Sequence, residues 1–126
     1  QANIVHLGDL LNNRGYPNVD GPAGASVHGW MQVLEKMAAA YPADALYVFG
    51  HAEAGHPFIG TRTDLHYQRD YFAAVVETAR QARRQNTSRD ALAKVEVLPK
   101  FEHFGGTKAR LGLALTLAYD ELATLG

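Results

Sequence analysis

The sequence predicts an α/β fold. Three observations carry that reading. Two short segments, residues 2–8, rich in apolar and β-branched residues, and residues 45–49, apolar throughout, each reach a glycine. A helix-period segment joins them, and three more helical segments follow.

The first segment, Ala2-Asn3-Ile4-Val5-His6-Leu7-Gly8, is rich in apolar and β-branched residues and reads as a buried strand closed by Gly8-Asp9. Residues 12–24 hold Gly15, Pro17, Gly21, Pro22 and Gly24 and read as a loop long enough to carry function. From Ser26 the period changes. Val27, Trp30, Met31, Leu34, Met37, Ala38 and Tyr41 recur at three- and four-residue steps, which predicts one core-facing side of a helix. Ser26 is the expected N-cap and Pro42 the stop. Gly29 inside that helix costs about 1 kcal/mol relative to Ala, a cost that a close backbone contact would explain. Residues 45–49 form the second strand, followed by Gly50-His51. Continuous apolar runs predict strands covered on both faces, in a parallel or mixed sheet packed between helices.

A second glycine-bearing loop is expected over 52–62. The spacing of Leu65, Phe72, Val76 and Ala79 then predicts a long helix over 64–85, opened by Thr61-Arg62-Thr63-Asp64. Arg80, Arg83 and Arg84 stand at its far end, where the helix dipole favours cations, and read as a solvated terminus. Residues 87–97 predict a shorter helix ended by Pro99, and 107–125 a last one with Leu111, Leu115, Ala118 and Leu122 inward. Two strands do not make a stable sheet alone. The sheet is therefore expected to be tiny and helix-covered, or to take further strands from outside this chain.

Composition bounds the function. The 126 residues are one domain or half of a larger one, and at 47% apolar and 20% charged they hold enough apolar surface to offset the ordering entropy. Twelve Lys+Arg against thirteen Asp+Glu leave a net charge of −1, so there is no strong field to attract a nucleic-acid backbone. No apolar run is long enough to span a bilayer. We therefore expect neither a nucleic-acid nor a membrane partner. The lack of cysteine excludes disulfides, zinc–thiolate sites and Cys nucleophiles, and is silent about compartment. The chain begins at Gln1 with no signal-peptide pattern behind it, so a preceding segment is expected to have been removed.

Chemistry is expected where the strands end. Gly8-Asp9 and Gly50-His51 each follow an apolar strand with a side chain competent to bind metal. The separation of 42 residues, spanning a loop and a helix, allows the strands to be neighbours with both tips on one edge. An Asp carboxylate can bridge two cations, and a neutral imidazole is a common zinc ligand. The competing reading is that both dipeptides are ordinary turns. Asn12, Asn13 and Arg14 would line the same edge if Asp9 is functional, and are otherwise loop polarity. His56 lies near His51 and is a lesser candidate. His6 reads as a packed core histidine, His28 and His66 as solvated residues near helix starts, and His103 as a loop or packing residue. No phosphate loop, serine nucleophile elbow or His-Glu-x-x-His pair is present.

The run His6-Leu7-Gly8-Asp9-Leu10-Leu11-Asn12-Asn13-Arg14, then Gly24-Ala25-Ser26 with Trp30 and Leu34-Glu35-Lys36, then Tyr47-Val48-Phe49-Gly50-His51, resembles the second half of a metallo-β-lactamase-fold hydrolase. Gly60-Thr61, Asp70-Tyr71 and 118–122 extend the resemblance over most of the chain. It implies the C-terminal half of a four-layer α/β/β/α sandwich. Asp9 would bridge two zinc ions, and His51 would bind one of them. Ala52 stands where the family usually has Gly. The family's first-half signature, His-x-His-x-Asp-His, is absent. The resemblance therefore implies a partner, the N-terminal half of the same protein as a separate chain or segment. The implied activity is metal-assisted hydrolysis of an amide or ester in a small-molecule substrate, a β-lactam among them. The loop over 12–24 would shape the pocket, with Asn12 or Asn13 orienting substrate. Export signals in relatives lean the compartment toward periplasm or secretion without assigning it. One rival is a calcineurin-like metallophosphoesterase, whose strand-end motifs Gly8-Asp9 and Gly50-His51 echo. Its expected Gly-Asn-His-Asp/Glu motif is missing, and Glu53 stands two residues after His51. The other rival is a non-catalytic α/β assembly module.

Overall fold

The structure, a computed structural model, describes residues 4–13, 26–42, 44–52, 59–102, 104 and 109–125, of which 6–13, 50–52 and 125 are described by their backbone. In chain order the elements are β1 (Ile4–Asn13), α1 (Val27–Ala40), β2 (Leu46–Ala52), β3 (Ile59–Gly60), α2 (Arg62–Arg84), α3 (Arg89–Ala93) and α4 (Ala109–Leu125). The strands form one mixed sheet in the order β1-β2-β3. β1 and β2 are parallel, as their connection through α1 requires, and β3 returns antiparallel to β2.

The expected α/β/β/α sandwich half does not form. Among the described residues, helices of 14, 23, 5 and 17 residues outweigh strands of 10, 7 and 2. The helices cover one another rather than lying as a layer. α2 packs against both α1 and α4, and α3 against α4. The cause lies in the breadth of α2's apolar arc. Leu65, Phe72, Val75, Val76 and Ala79 are all buried, and so wide a stripe must meet several neighbours. Only part of that arc reaches the sheet.

Where its side chains are described, the sheet is covered on one face, not two. Tyr47 and Phe49 point to the helices and are buried, whereas Leu46 between helix-facing residues is 37% exposed. Ile4, its register partner on β1, is 56% exposed, and Ile59 on β3 is 53% exposed. Alternation along a strand sends successive side chains to opposite faces, so these residues form an apolar outer face. β3 went unanticipated because two residues carry no periodicity. It needs Gly60, since a Cβ there would run into the Asp64 carboxylate and the Phe49 ring.

Helix ends follow the sequence closely. The Ser26 hydroxyl accepts the Gly29 N–H at 3.0 Å and starts α1. The Thr61 N–H donates to Asp64 Oδ2 at 2.8 Å and starts α2. α2 ends without glycine. Asn86 takes the left-handed φ of 57°, and the Thr87 and Asn86 N–H groups close back on the carbonyls of Ala82 and Arg83. α3 stops at Ala93, short of residue 97, and Leu98-Pro99-Lys100-Phe101 is a turn closed from the Phe101 N–H to the Leu98 carbonyl. Proline disfavours helix in the residue before it.

Two expectations about single residues change. Tyr41 is exposed and caps the C-terminus of α1 instead of packing in the core. Arg83 is not merely solvated. Its Nε donates to the Tyr119 carbonyl at 2.8 Å, and its guanidinium lies 4.1 Å from the Tyr119 ring centre, which ties α2 to α4. The core is rich in rings. Trp30 meets Phe72 edge-on, and Tyr71, Phe101 and Phe104 pack mutually.

Candidate functional site

Both metal-competent dipeptides lie inside strands rather than beyond them. Asp9, Asn12 and Asn13 belong to β1, and His51 is the penultimate residue of β2. The strands extend further than their apolar runs because parallel pairing continues into the polar segment. Asn12 faces His51, and Asn13 faces Ala52.

That pairing is irregular. From Gly8 to Asn12 β1 takes four steps while β2 takes two, from Phe49 to His51. A further slip lies between His6 and Gly8. Asp9, Leu10 and Leu11 therefore fall in a stretch where the ladder is broken, the kind of bulge that re-aims a strand end. Because β1 and β2 are parallel neighbours, their C-terminal ends share one sheet edge. In open α/β sheets that edge is where ligands bind. The backbone thus brings Asn12 and His51 together and sets Asp9 three residues upstream on the same strand. Arg14, His56 and His103 lie outside the described residues.

The helices define the edge from below. α1 ends beside the start of β2, where the Tyr41 and Tyr47 rings are 6.4 Å apart. α2 begins at that same end, with Arg62 Nη2 donating to the Tyr41 carbonyl at 2.7 Å. Ten residues on, Phe72 meets Trp30 in the first turn of α1. α2 therefore runs antiparallel to α1 and toward the C-terminal edge of the strands. Sequence reasoning passed over Gln68 on this helix. Gln68 is 3% exposed, and neither its Oε1 nor its Nε2 has a hydrogen-bond partner. The signal was present in the sequence, since a glutamine at position 68 interrupts the apolar stripe of Leu65, Phe72, Val76 and Ala79.

The remaining histidines are settled where they are described. His28 is not simply solvated, since its Nδ1 lies 3.3 Å from Glu121 Oε2 and joins the start of α1 to α4. His66 is exposed. Among the described residues no cluster of three or more His, Asp or Glu side chains is arranged to hold a metal. None of the described helices is long and apolar enough to cross a membrane.

A groove of about 760 Å³ runs along the outer side of α2, between Tyr67, Ala74 and Thr78 and the turn at Leu98 and Phe101. Among the described residues it takes none from β1 or β2. Two carboxylates on its rim are already engaged, Asp70 by Arg69 at 2.8 Å and Glu77 by Arg80 at 2.6 Å. No protein-family model matches the sequence, and no curated protein matches it at a significant level.

Proposed function

We propose that the chain supplies part of the active site of a zinc-dependent hydrolase that cleaves an amide or ester bond. Asp9 and His51 are its metal donors, and Asn12 and Asn13 contact substrate. One observation supports this reading above the rest: β1 and β2 are parallel neighbours in a register that sets Asn12 opposite His51. The C-terminal ends of the strands that carry the Gly-Asp and Gly-His dipeptides therefore share the edge at which α/β sheets bind ligands.

The donor types suit zinc. A carboxylate and an imidazole are both ordinary zinc ligands, but a catalytic zinc keeps three from protein. The described residues hold no group of three. A further polypeptide segment would provide the remaining donors, and Asp9 and His51 would be this chain's share of the zinc ligands. The exposed apolar outer face of the sheet favours such a segment, because a sheet with an apolar face in water is stabilised by cover. Bound zinc supplies hydroxide near neutral pH by lowering the pKa of its water to about 7. The chain's own part is to hold donors at fixed separation and to present the two asparagines beside them.

The test is zinc content and hydrolysis in Asp9→Ala and His51→Ala, with a chromogenic β-lactam, an activated ester and a phosphodiester as substrates. Both variants are expected to lose zinc and turnover of the lactam or ester. Zinc content and turnover kept in both refute the reading. Turnover of the phosphodiester alone reassigns the substrate.

A further inference from the structure

The groove on the outer side of α2 is built from two pieces of chain. Tyr67 and Ala74 come from the helix, and Leu98, Lys100 and Phe101 from the turn after α3. At about 760 Å³ it falls in the range of about 300–1,000 Å³ that small-molecule sites occupy. Its walls are mostly apolar, and the core holds them in place. Leu98 and Phe101 are buried, and the Phe101 ring meets Tyr67 edge-on with centres 5.7 Å apart. The groove is therefore preformed. Its described lining includes no residue of β1 or β2, and the zinc reading of the strand ends is not needed for it.

Charge gives the groove a preference. Its charged lining residues are Asp70, Glu77 and Lys100. Asp70 accepts from Arg69 at 2.8 Å and Glu77 from Arg80 at 2.6 Å, so both carboxylates are matched. Lys100 makes no ion pair among the described residues. Its ammonium is the charge left over. Lys100 also holds a left-handed φ of 74°. Glycine adopts that conformation freely, whereas a lysine adopts it at a cost. The turn by itself thus favours glycine, and a lysine there is explained by what its ammonium does. Backbone strain of this kind gathers at ligand clamps.

We propose that the groove binds a small apolar carboxylate: its hydrocarbon or aromatic body lies against Tyr67, Ala74, Leu98 and Phe101, and its carboxylate pairs with the Lys100 ammonium. Burial of the body supplies most of the affinity. Lys100 is exposed, and an exposed ion pair adds little, so the lysine selects the sign of the head group rather than carrying the binding.

The experiment titrates octanoate and phenylbutanoate in turn into the ¹⁵N-labelled chain without metal, with octylamine as the cationic counterpart, and follows backbone amide shifts. The expected result is movement of the amides of 74–81 and 98–101, with octanoate or phenylbutanoate bound more tightly than octylamine. Octanoate alone assigns the groove to acyl chains and phenylbutanoate alone to aryl acids, and either supports the proposal. Lys100→Gln keeps the length of the side chain and removes its charge. It should weaken the bound acid about two- to fivefold, leave octylamine unchanged or tighter, and keep the amide spectrum of the folded chain. Lys100→Glu should reverse the preference. Added salt should weaken the acid in the unsubstituted chain and not in Lys100→Gln. Three results overturn the proposal: no movement at those amides with either acid, octylamine bound as tightly as the acids, or acid affinity unchanged in Lys100→Gln.

Discussion

Replacing Gly112 with alanine sets two effects of known size against each other. Gly112 lies in the first half of α4, where helix propensity favours Ala by about 1 kcal/mol. Propensity alone therefore predicts a gain. The packing predicts the reverse. A Cβ at Gly112 would overlap the Ala93 carbonyl oxygen at the end of α3 and sit 3.2 Å from its carbonyl carbon. Those are backbone atoms and cannot swing aside. To admit the methyl, α3 must move away from α4, which opens the buried Leu92 contact and strains the two-oxygen pairing of Arg89 with Asp120. Overpacking of this kind costs about 1–3 kcal/mol, so after the propensity gain of about 1 kcal/mol the net expectation is a loss of up to about 2 kcal/mol. For a chain of this length that is up to roughly 8 °C in thermal midpoint. Urea unfolding followed by far-UV circular dichroism measures it. Gly29→Ala is the internal control. Its Cβ would meet only the Ser26 side chain, at 3.3 Å, and no backbone. Among the described residues no close backbone contact explains a glycine there, and Ala should stabilise by up to about 1 kcal/mol. If Gly112→Ala stabilises as much as Gly29→Ala, the α3–α4 packing argument is wrong.

Other substitutions test separate parts of the structure. Phe72→Ala removes a fully buried ring held edge-on by Trp30 and Tyr71 and should cost about 3–5 kcal/mol, with a change in Trp30 fluorescence; a loss below about 1 kcal/mol would contradict the core assignment. Ser26→Ala deletes the cap bond to the Gly29 N–H and should cost about 1 kcal/mol, read as earlier urea unfolding, whereas Ser26→Asp should retain stability. Lys100 holds a left-handed φ of 74° in the turn after α3. Lys100→Gly relieves that conformation at some cost in chain entropy and should stabilise by about 0.5–1 kcal/mol; an unchanged midpoint counts against strain at that position.

The local part of this protein was legible in its sequence. Ser26 and Ser88 cap helices, Thr61 with Asp64 opens α2, and the apolar spacings of α1, α2 and α4 mark the buried sides. These features act within one or two turns of chain, where neighbouring residues decide the outcome. The parallel relation of the two glycine-terminated strands was also legible, because a helix of 14 residues between them returns the chain to the same end of the sheet. The strand ends were not. Asp9 and His51 were placed just past the strands as candidate metal donors, and pairing between distant segments drew both inside the strands.

What only the tertiary structure decided is how the pieces cover one another. The sequence by itself determined that α2 has an apolar stripe, yet a stripe does not say whether it faces a sheet or other helices. Burial is non-directional, so a layered sandwich and a helical cluster beside a small sheet satisfy the same pattern. Packing chose the cluster, left Ile4, Leu46 and Ile59 on an open face, and sealed Gln68 inside without a hydrogen-bond partner. An amide in an apolar stripe is a local anomaly in the sequence. Whether that amide finds a partner is decided by which segments fold against α2, because hydrogen bonds act over a few ångströms and chain order does not measure that distance.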